Sequence, residues 1–245
     1  MRFLVVIIVL YPLWIGAKEE TITLDPFGLI HVYRPAKEPP AAVLILVSGD
    51  GGWEHAVLRM ANVLSGEGCL VAGIDITQYL KNQETRSEDC VSPATDFQSL
   101  GRSVQEKYGI KKEARPYLVG YSSGATLVYA AIVQAQPSTF PAAFSFGFCA
   151  DFCAKKPFCK GRALEWYEGR KKTSILFRPT KSLQLPWVVF QGYDDQVCNE
   201  DVTREFVQQV PNGEFVLLPK VGHGFNVMKN WLPKFQQIFS SIEEQ

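Results

Sequence analysis

The chain has no excess charge of either sign: 25 Lys and Arg offset 25 Asp and Glu. Without a basic surplus there is no electrostatic footprint for a phosphate backbone, so no nucleic-acid partner is expected. Internal repeats and low-complexity tracts are also missing, which excludes solenoids and disordered arrays. No Lys-Ser/Thr follows the glycines of SGDGGW (48–53), and G-x-G-x-x-G does not occur, so neither a phosphate loop nor a dinucleotide fingerprint is present. Cys149, Cys153 and Cys159 have no histidine near them and no fourth cysteine at ligand spacing, which argues against zinc. No metal and no cofactor is expected. No cysteine directly follows the N-terminal apolar run, so no lipoprotein anchor is expected.

What is there begins with an export signal. Arg2 precedes the unbroken apolar run Phe3 to Leu10, Pro12 breaks it, and Gly16 and Ala17 follow. This reads as a secretory signal peptide, residues 1–17, cut near Ala17. The alternative is an uncleaved anchor, although the run ends short of the ~20 residues a spanning helix needs. Six cysteines in an exported chain point to an oxidising compartment. Cys69, inside the apolar CLVAGID, reads as a free buried thiol, and Cys149, Cys153 and Cys159 read as loop staples. Residues 18–245 carry no linker and are 47% hydrophobic over the whole chain, enough for one domain.

Periodicity then orders the elements. Thr21 to Leu24 and Leu29 to Tyr33 read as a hairpin around Pro26-Phe27-Gly28. The runs AAVLILVSG and CLVAGID read as strands buried on both faces, and RPYLVG, PAAFSFGF, PWVVFQG and GEFVLLP as further strands. Between them lie helical patterns: EHAVLRMANVLSGEG, SPATDFQSLGRSVQEKYG with a Ser cap, SGATLVYAAIVQA, EDVTREFVQQV, and NVMKNWLPKFQQIFSSI with Pro233 as a kink point. Alternating strands and helices predict a mostly parallel, doubly wound sheet flanked by helices. Such sheets place chemistry at the carboxyl ends of their strands.

Those ends carry a constellation. Gly120-Tyr121-Ser122-Ser123-Gly124 fits G-x-S-x-G between a strand and a helix, which makes Ser122 the candidate nucleophile. The Ser123 N–H, at the start of that helix, is a candidate oxyanion donor. Asp50 or Gly51, in the loop after AAVLILV, is the second. Of only three histidines, His31 lies on the hairpin and His55 opens a helix; His223 follows the last strand and is the candidate base. Asp194 and Asp195 follow PWVVFQG, with Asp195 favoured as the acid and Asp194 the alternative. The order Ser122, Asp195, His223 is that of the α/β-hydrolases. Trp53, Asp194 and Phe225 are candidate substrate contacts.

LVSGDGGW, VGYSSGA, the CADFC…C segment and VGHGF together resemble the VirJ and AcvB bacterial virulence proteins, an exported branch of the α/β-hydrolases. The resemblance implies a periplasmic serine esterase acting on aminoacyl phospholipids such as lysyl-phosphatidylglycerol, linked in some members to type IV secretion components. It implies catalytic roles for Ser122, Asp195 and His223, and no cofactor. It also implies a strand order that would bring Cys149 beside Cys198. Residues 149–182 would form an insert whose Lys155, Lys156, Lys160, Arg162, Arg170, Lys171 and Lys172, interleaved with Phe158, Trp166 and Tyr167, could dock on anionic lipid headgroups. Two other readings stay open: a non-catalytic binding or secretion-accessory protein, and a generic carboxylesterase, thioesterase or peptidase with a soluble substrate.

Overall fold

A computed structural model describes residues 18–161, 163–169 and 173–244. The expected leader, 1–17, lies outside them, as do Arg162, Arg170, Lys171 and Lys172 of the basic insert. In chain order the elements are β1 (Lys18–Leu24), β2 (Gly28–Arg34), β3 (Ala42–Val47), α1 (Ala56–Gly66), β4 (Cys69–Ile74), α2 (Ile76–Thr85), α3 (Pro93–Lys107), β5 (Tyr117–Tyr121) and α4 (Ser123–Gln134). They continue with β6 (Ala143–Phe146), β7 (Asp151–Cys153), β8 (Trp166–Glu168), β9 (Ser174–Phe177), β10 (Trp187–Gly192), α5 (Glu200–Gln208), β11 (Gly213–Leu218) and α6 (Leu232–Glu243).

The main sheet has the order β1-β2-β4-β3-β5-β6-β10-β11. The first hairpin and the β2–β4 pair are antiparallel; every pair from β4 to β11 is parallel. This is the α/β-hydrolase arrangement. Its central strands are apolar throughout because both faces are covered. In β3, Val43, Ile45 and Val47 face the core under α3, α4 and α5, while Ala42, Leu44 and Leu46 face the core under α1 and α6. Among the described residues no helix is long and apolar enough to cross a membrane.

Three readings need correction. Helix α2 has no apolar stripe to announce it. It forms because the Asp75 carboxylate caps the Thr77 and Gln78 amides, and its inward face is short: Ile76, Tyr79 and Gln83 are buried, with Leu80 packed beside them. Pro233 does not kink the last helix; it sits in the first turn of α6, where its missing N–H costs nothing. Ser92 occupies the cap position of α3, but its hydroxyl meets Thr95 Oγ1 at 3.0 Å rather than a backbone amide.

The insert is a small antiparallel sheet, β7-β9-β8, whose Phe152, Phe158, Ile175 and Phe177 join the core. Its described basic residues have partners. Lys155 pairs with Glu84 at 2.9 Å, Lys156 donates to the Arg86 and Glu88 carbonyls, and Lys160 lies 4.9 Å over the Trp166 ring. Lys155 and Lys156 thus reach the end of α2 and the loop after it. A disulfide between Cys90 and Cys159 and the Val91–Phe158 bridge close the same seam. Cys149 pairs with Cys198. Cys69 is free and buried, and burial pushes its thiol up to about 12. Cys153 is not a staple: β7 alternates outward and inward, and the thiol points out.

The Cys90–Cys159 bridge closes a separation of 69 residues. Replacing both cysteines by alanine should lower unfolding free energy by roughly 4 kcal/mol, through the freed unfolded chain. Urea denaturation with the other disulfide intact measures it; a loss below about 1 kcal/mol would show that this crosslink restrains little.

Candidate active site

The site is built from four loops at the carboxyl ends of β3, β5, β10 and β11. The chain turns from β5 into α4 at Ser122, with φ 55° and ψ −124°. A side chain there is strained by about 1–3 kcal/mol and is held only because its surroundings leave no alternative. The surroundings are two glycines. A Cβ on Gly120 would fall 2.3 Å from the Gly124 carbonyl oxygen, and one on Gly124 would fall 2.4 Å from the Val47 and Ser48 carbonyl oxygens. Strand and helix therefore meet backbone to backbone, and the serine is left projecting above the sheet. The Ser122 amide donates to the Phe146 carbonyl at 2.9 Å, tying the elbow to β6.

His223 Nε2 lies 2.9 Å from Ser122 Oγ, and His223 Nδ1 lies 2.9 Å from Asp195 Oδ2. The Asp195 side chain is fully buried. Its burial alone would raise the carboxyl pKa. The hydrogen bond from His223 and the backbone N–H groups of Cys198 and Val197 outweigh that and hold it below the ordinary value of 3.8. An ionised carboxylate only accepts, so Nδ1 carries the imidazole proton and Nε2 is free to accept from the Ser122 hydroxyl. The acid and base loops are also joined by backbone: the Asp194 N–H donates to the Val221 carbonyl at 2.9 Å.

The loop after β3 reaches the elbow. A Cβ on Gly49 would lie 2.9 Å from Ser122 Cβ. Asp75 Oδ2 accepts from the Trp53 amide at 3.4 Å, and Ser48 Oγ accepts from the Ile76 amide at 3.0 Å, which fixes the loop to the end of β4. Among the described residues, the Asp50 and Ser123 amides have no acceptor. Gly51 has open space around its Cα.

The other candidates separate. Asp194 is exposed, whereas Asp195 is the buried carboxylate of the pair and the one that meets His223. Trp53 is not a pocket wall: its indole packs over Gly73 and stacks on His31 at 5.1 Å, inside the core. Phe225 is buried too, edge-on to Tyr121 and Phe146, beneath the site rather than facing it. His31 bonds Glu19 on the hairpin, and His55 is exposed at the start of α1. Two neighbours escaped the sequence reading. The Tyr121 ring lies 5.6 Å from the His223 ring. Buried Gln191 donates from Nε2 to Asp195 Oδ2 at 2.9 Å, while its Oε1 has no partner among the described residues. A polar residue closing the apolar run PWVVF was the available signal for Gln191.

Comparison with known proteins places this geometry. Residues 41–142 match the family model of the bacterial virulence protein VirJ. The VirJ match spans the loop after β3 and the Ser122 elbow and stops before Asp195 and His223. No curated protein matches the sequence. Among solved structures, Est1E from Butyrivibrio proteoclasticus superposes with a TM-score of 0.61 at 12% identity, over 94% of this chain and 100% of that one. A thermophilic esterase, Est2, from Thermogutta terrifontis gives 0.58 at 14%, over 91% of each chain. A serine hydrolase without a lid from Xanthomonas campestris gives 0.51 at 16%, over 94% and 93%. These likenesses show the α/β-hydrolase fold.

Gly124→Ala should cost at least about 2 kcal/mol in urea denaturation, because the new methyl meets backbone that cannot swing aside. Asp195 has a depressed folded pKa, so its stabilising contribution is complete above the ordinary carboxylate value and lost as pH falls through the folded one. The stability gap between wild type and Asp195→Asn should therefore be widest near neutrality and close below about pH 4. A gap independent of pH would contradict the ionised-carboxylate assignment.

Proposed function

We propose that the protein is an exported serine hydrolase that cleaves a carboxylic ester. The observation that carries this reading is a single imidazole with one nitrogen 2.9 Å from Ser122 Oγ and the other 2.9 Å from a buried carboxylate. In the proposed mechanism Ser122 Oγ attacks the ester carbonyl carbon as its proton passes to His223 Nε2. Asp195 holds the ring in the productive tautomer and stabilises the imidazolium that forms. The developing oxyanion takes the unpartnered N–H groups of Ser123 and Asp50, the first at a helix N-terminus. Collapse expels the alcohol, protonated by His223. Water then enters by the reverse route, giving its proton to His223 and releasing the acid.

The substrate in this reading is an aminoacyl phospholipid such as lysyl-phosphatidylglycerol. Asp50, Glu54 and Asp194 are exposed on the loops that border the site, where they suit a cationic acyl group. The choice of this lipid rests on the resemblance drawn from the sequence motifs, LVSGDGGW and VGYSSGA above all. Two disulfides suit an oxidising compartment such as the periplasm.

A fluorophosphonate probe should label the wild type and leave Ser122→Ala unlabelled. Wild type that resists the probe, or an alanine variant labelled equally, would sink the hydrolase reading. Vesicles holding lysyl-phosphatidylglycerol should release free lysine. If a neutral aryl ester is hydrolysed while those vesicles stay intact, the lipid assignment fails and the hydrolase stands.

A further inference from the structure

Asp195 is held by much more than His223. Oδ1 accepts from the amides of Val197 at 2.8 Å and Cys198 at 3.0 Å, and Oδ2 accepts from Gln191 Nε2 at 2.9 Å. The same Gln191 amide donates to the Cys198 carbonyl at 2.9 Å. The direction of the carboxylate is therefore set by the turn 195–198. That turn is tethered covalently, since Cys198 is bonded to Cys149. The Cys149 end is anchored in turn. Its carbonyl accepts from Thr126 Oγ1 at 2.7 Å, one helical turn past Ser122. Two residues earlier, Gly147 packs its Cα against the His223 ring, and its carbonyl oxygen lies 3.4 Å from Cys198 Sγ. One disulfide thus joins the turn that carries the acid, the segment behind the base, and the helix that presents the nucleophile. The other bridge, Cys90–Cys159, joins the loop before α3 to the insert and meets α4 only at the end far from Ser122, where Gln134 Nε2 donates to the Cys159 carbonyl at 2.9 Å.

We propose that the Cys149–Cys198 disulfide is a positioning element for Ser122, His223 and Asp195, so that turnover depends on its oxidation state. The inference rests on the hydrolase reading above. In the reducing step a small dithiol gives up two electrons and two protons. The sulfur–sulfur bond breaks, both cysteines become thiols, and the dithiol closes to its own disulfide. The turn 195–198 is then held only by hydrogen bonds. A displacement of about 1 Å at the carboxylate is enough to cost roughly 10²-fold in rate.

The test uses Cys90→Ala/Cys159→Ala/Cys153→Ser, which leaves one disulfide and no exposed free thiol to exchange with it. kcat and KM for a p-nitrophenyl ester are measured before and after dithiothreitol, alongside Cys149→Ala/Cys198→Ala. Cys90→Ala/Cys159→Ala alone should keep the wild-type kcat. Reduction, or loss of Cys149 and Cys198, should lower kcat roughly 10²-fold with KM changed by no more than about threefold, and reoxidation should restore it. An unchanged kcat, with mass spectrometry showing both thiols alkylated, overturns the proposal. Should the Cys149/Cys198 variant fail to fold, the downfield proton resonance of His223 Nδ1–H decides. It should be present in the oxidised protein and lost or shifted on reduction; an unmoved resonance overturns the proposal. That signal needs no turnover, so it separates this inference from a failure of fluorophosphonate labelling.

Discussion

Helix α4 can start as close to the sheet as it does only because Gly124 has no side chain between it and the last carbonyls of β3. That contact decides the rest. It forces the connection from β5 to turn within two residues, which puts Ser122 at φ 55°. It also aims the first amide of the helix over the strand ends, beside the loop that carries Asp50. The strain is offset by burial: Ala125, Leu127, Val128, Tyr129, Ala130 and Ala131 of α4 are all fully enclosed. A helix more loosely packed could relax the elbow, and the hydroxyl would then point elsewhere.

Around this fixed point the polar groups are arranged by which forms they can take. The carboxylate of Asp195 is out of water, yet four donors hold it ionised. An acceptor that cannot donate determines the tautomer of His223, and the tautomer determines which way a proton can leave Ser122. Burial at one end of the array thus sets direction at the other. Gln191 contributes to the same field from the end of β10, and its uncompensated Oε1 is the kind of buried polar cost that cores otherwise avoid.

Much of this was legible in the residues. The strands β3 to β6 and β10 show as apolar runs because both sheet faces are covered, and G-x-S-x-G shows because two backbones must touch. What could not be read was of a different kind. Helix α2 owes its existence to a cap and a short inward face, a pattern too sparse for periodicity. Sequence leaves Trp53 open between the pocket and the core; Gly73 decides it by opening a slot for the ring on the neighbouring strand. Cys153 and Cys159 look alike as cysteines, and only the pleat of β7 and the seam with Cys90 tell them apart. Asp194 and Asp195 are adjacent carboxylates separated by a turn geometry that residue types do not encode.

The two disulfides interleave along the chain: Cys149 falls inside the loop that Cys90 and Cys159 close, and Cys198 falls outside it. Neither bridge joins cysteines that are neighbours in sequence. A chain oxidised from its amino end as it emerges offers Cys90 to Cys149 and Cys153 before Cys159 has arrived. Bonds made in order of appearance would not be the native ones; the fold is what holds Cys90 beside Cys159 and Cys149 beside Cys198. The pairing is thus a product of the fold and not of the order of the cysteines along the chain.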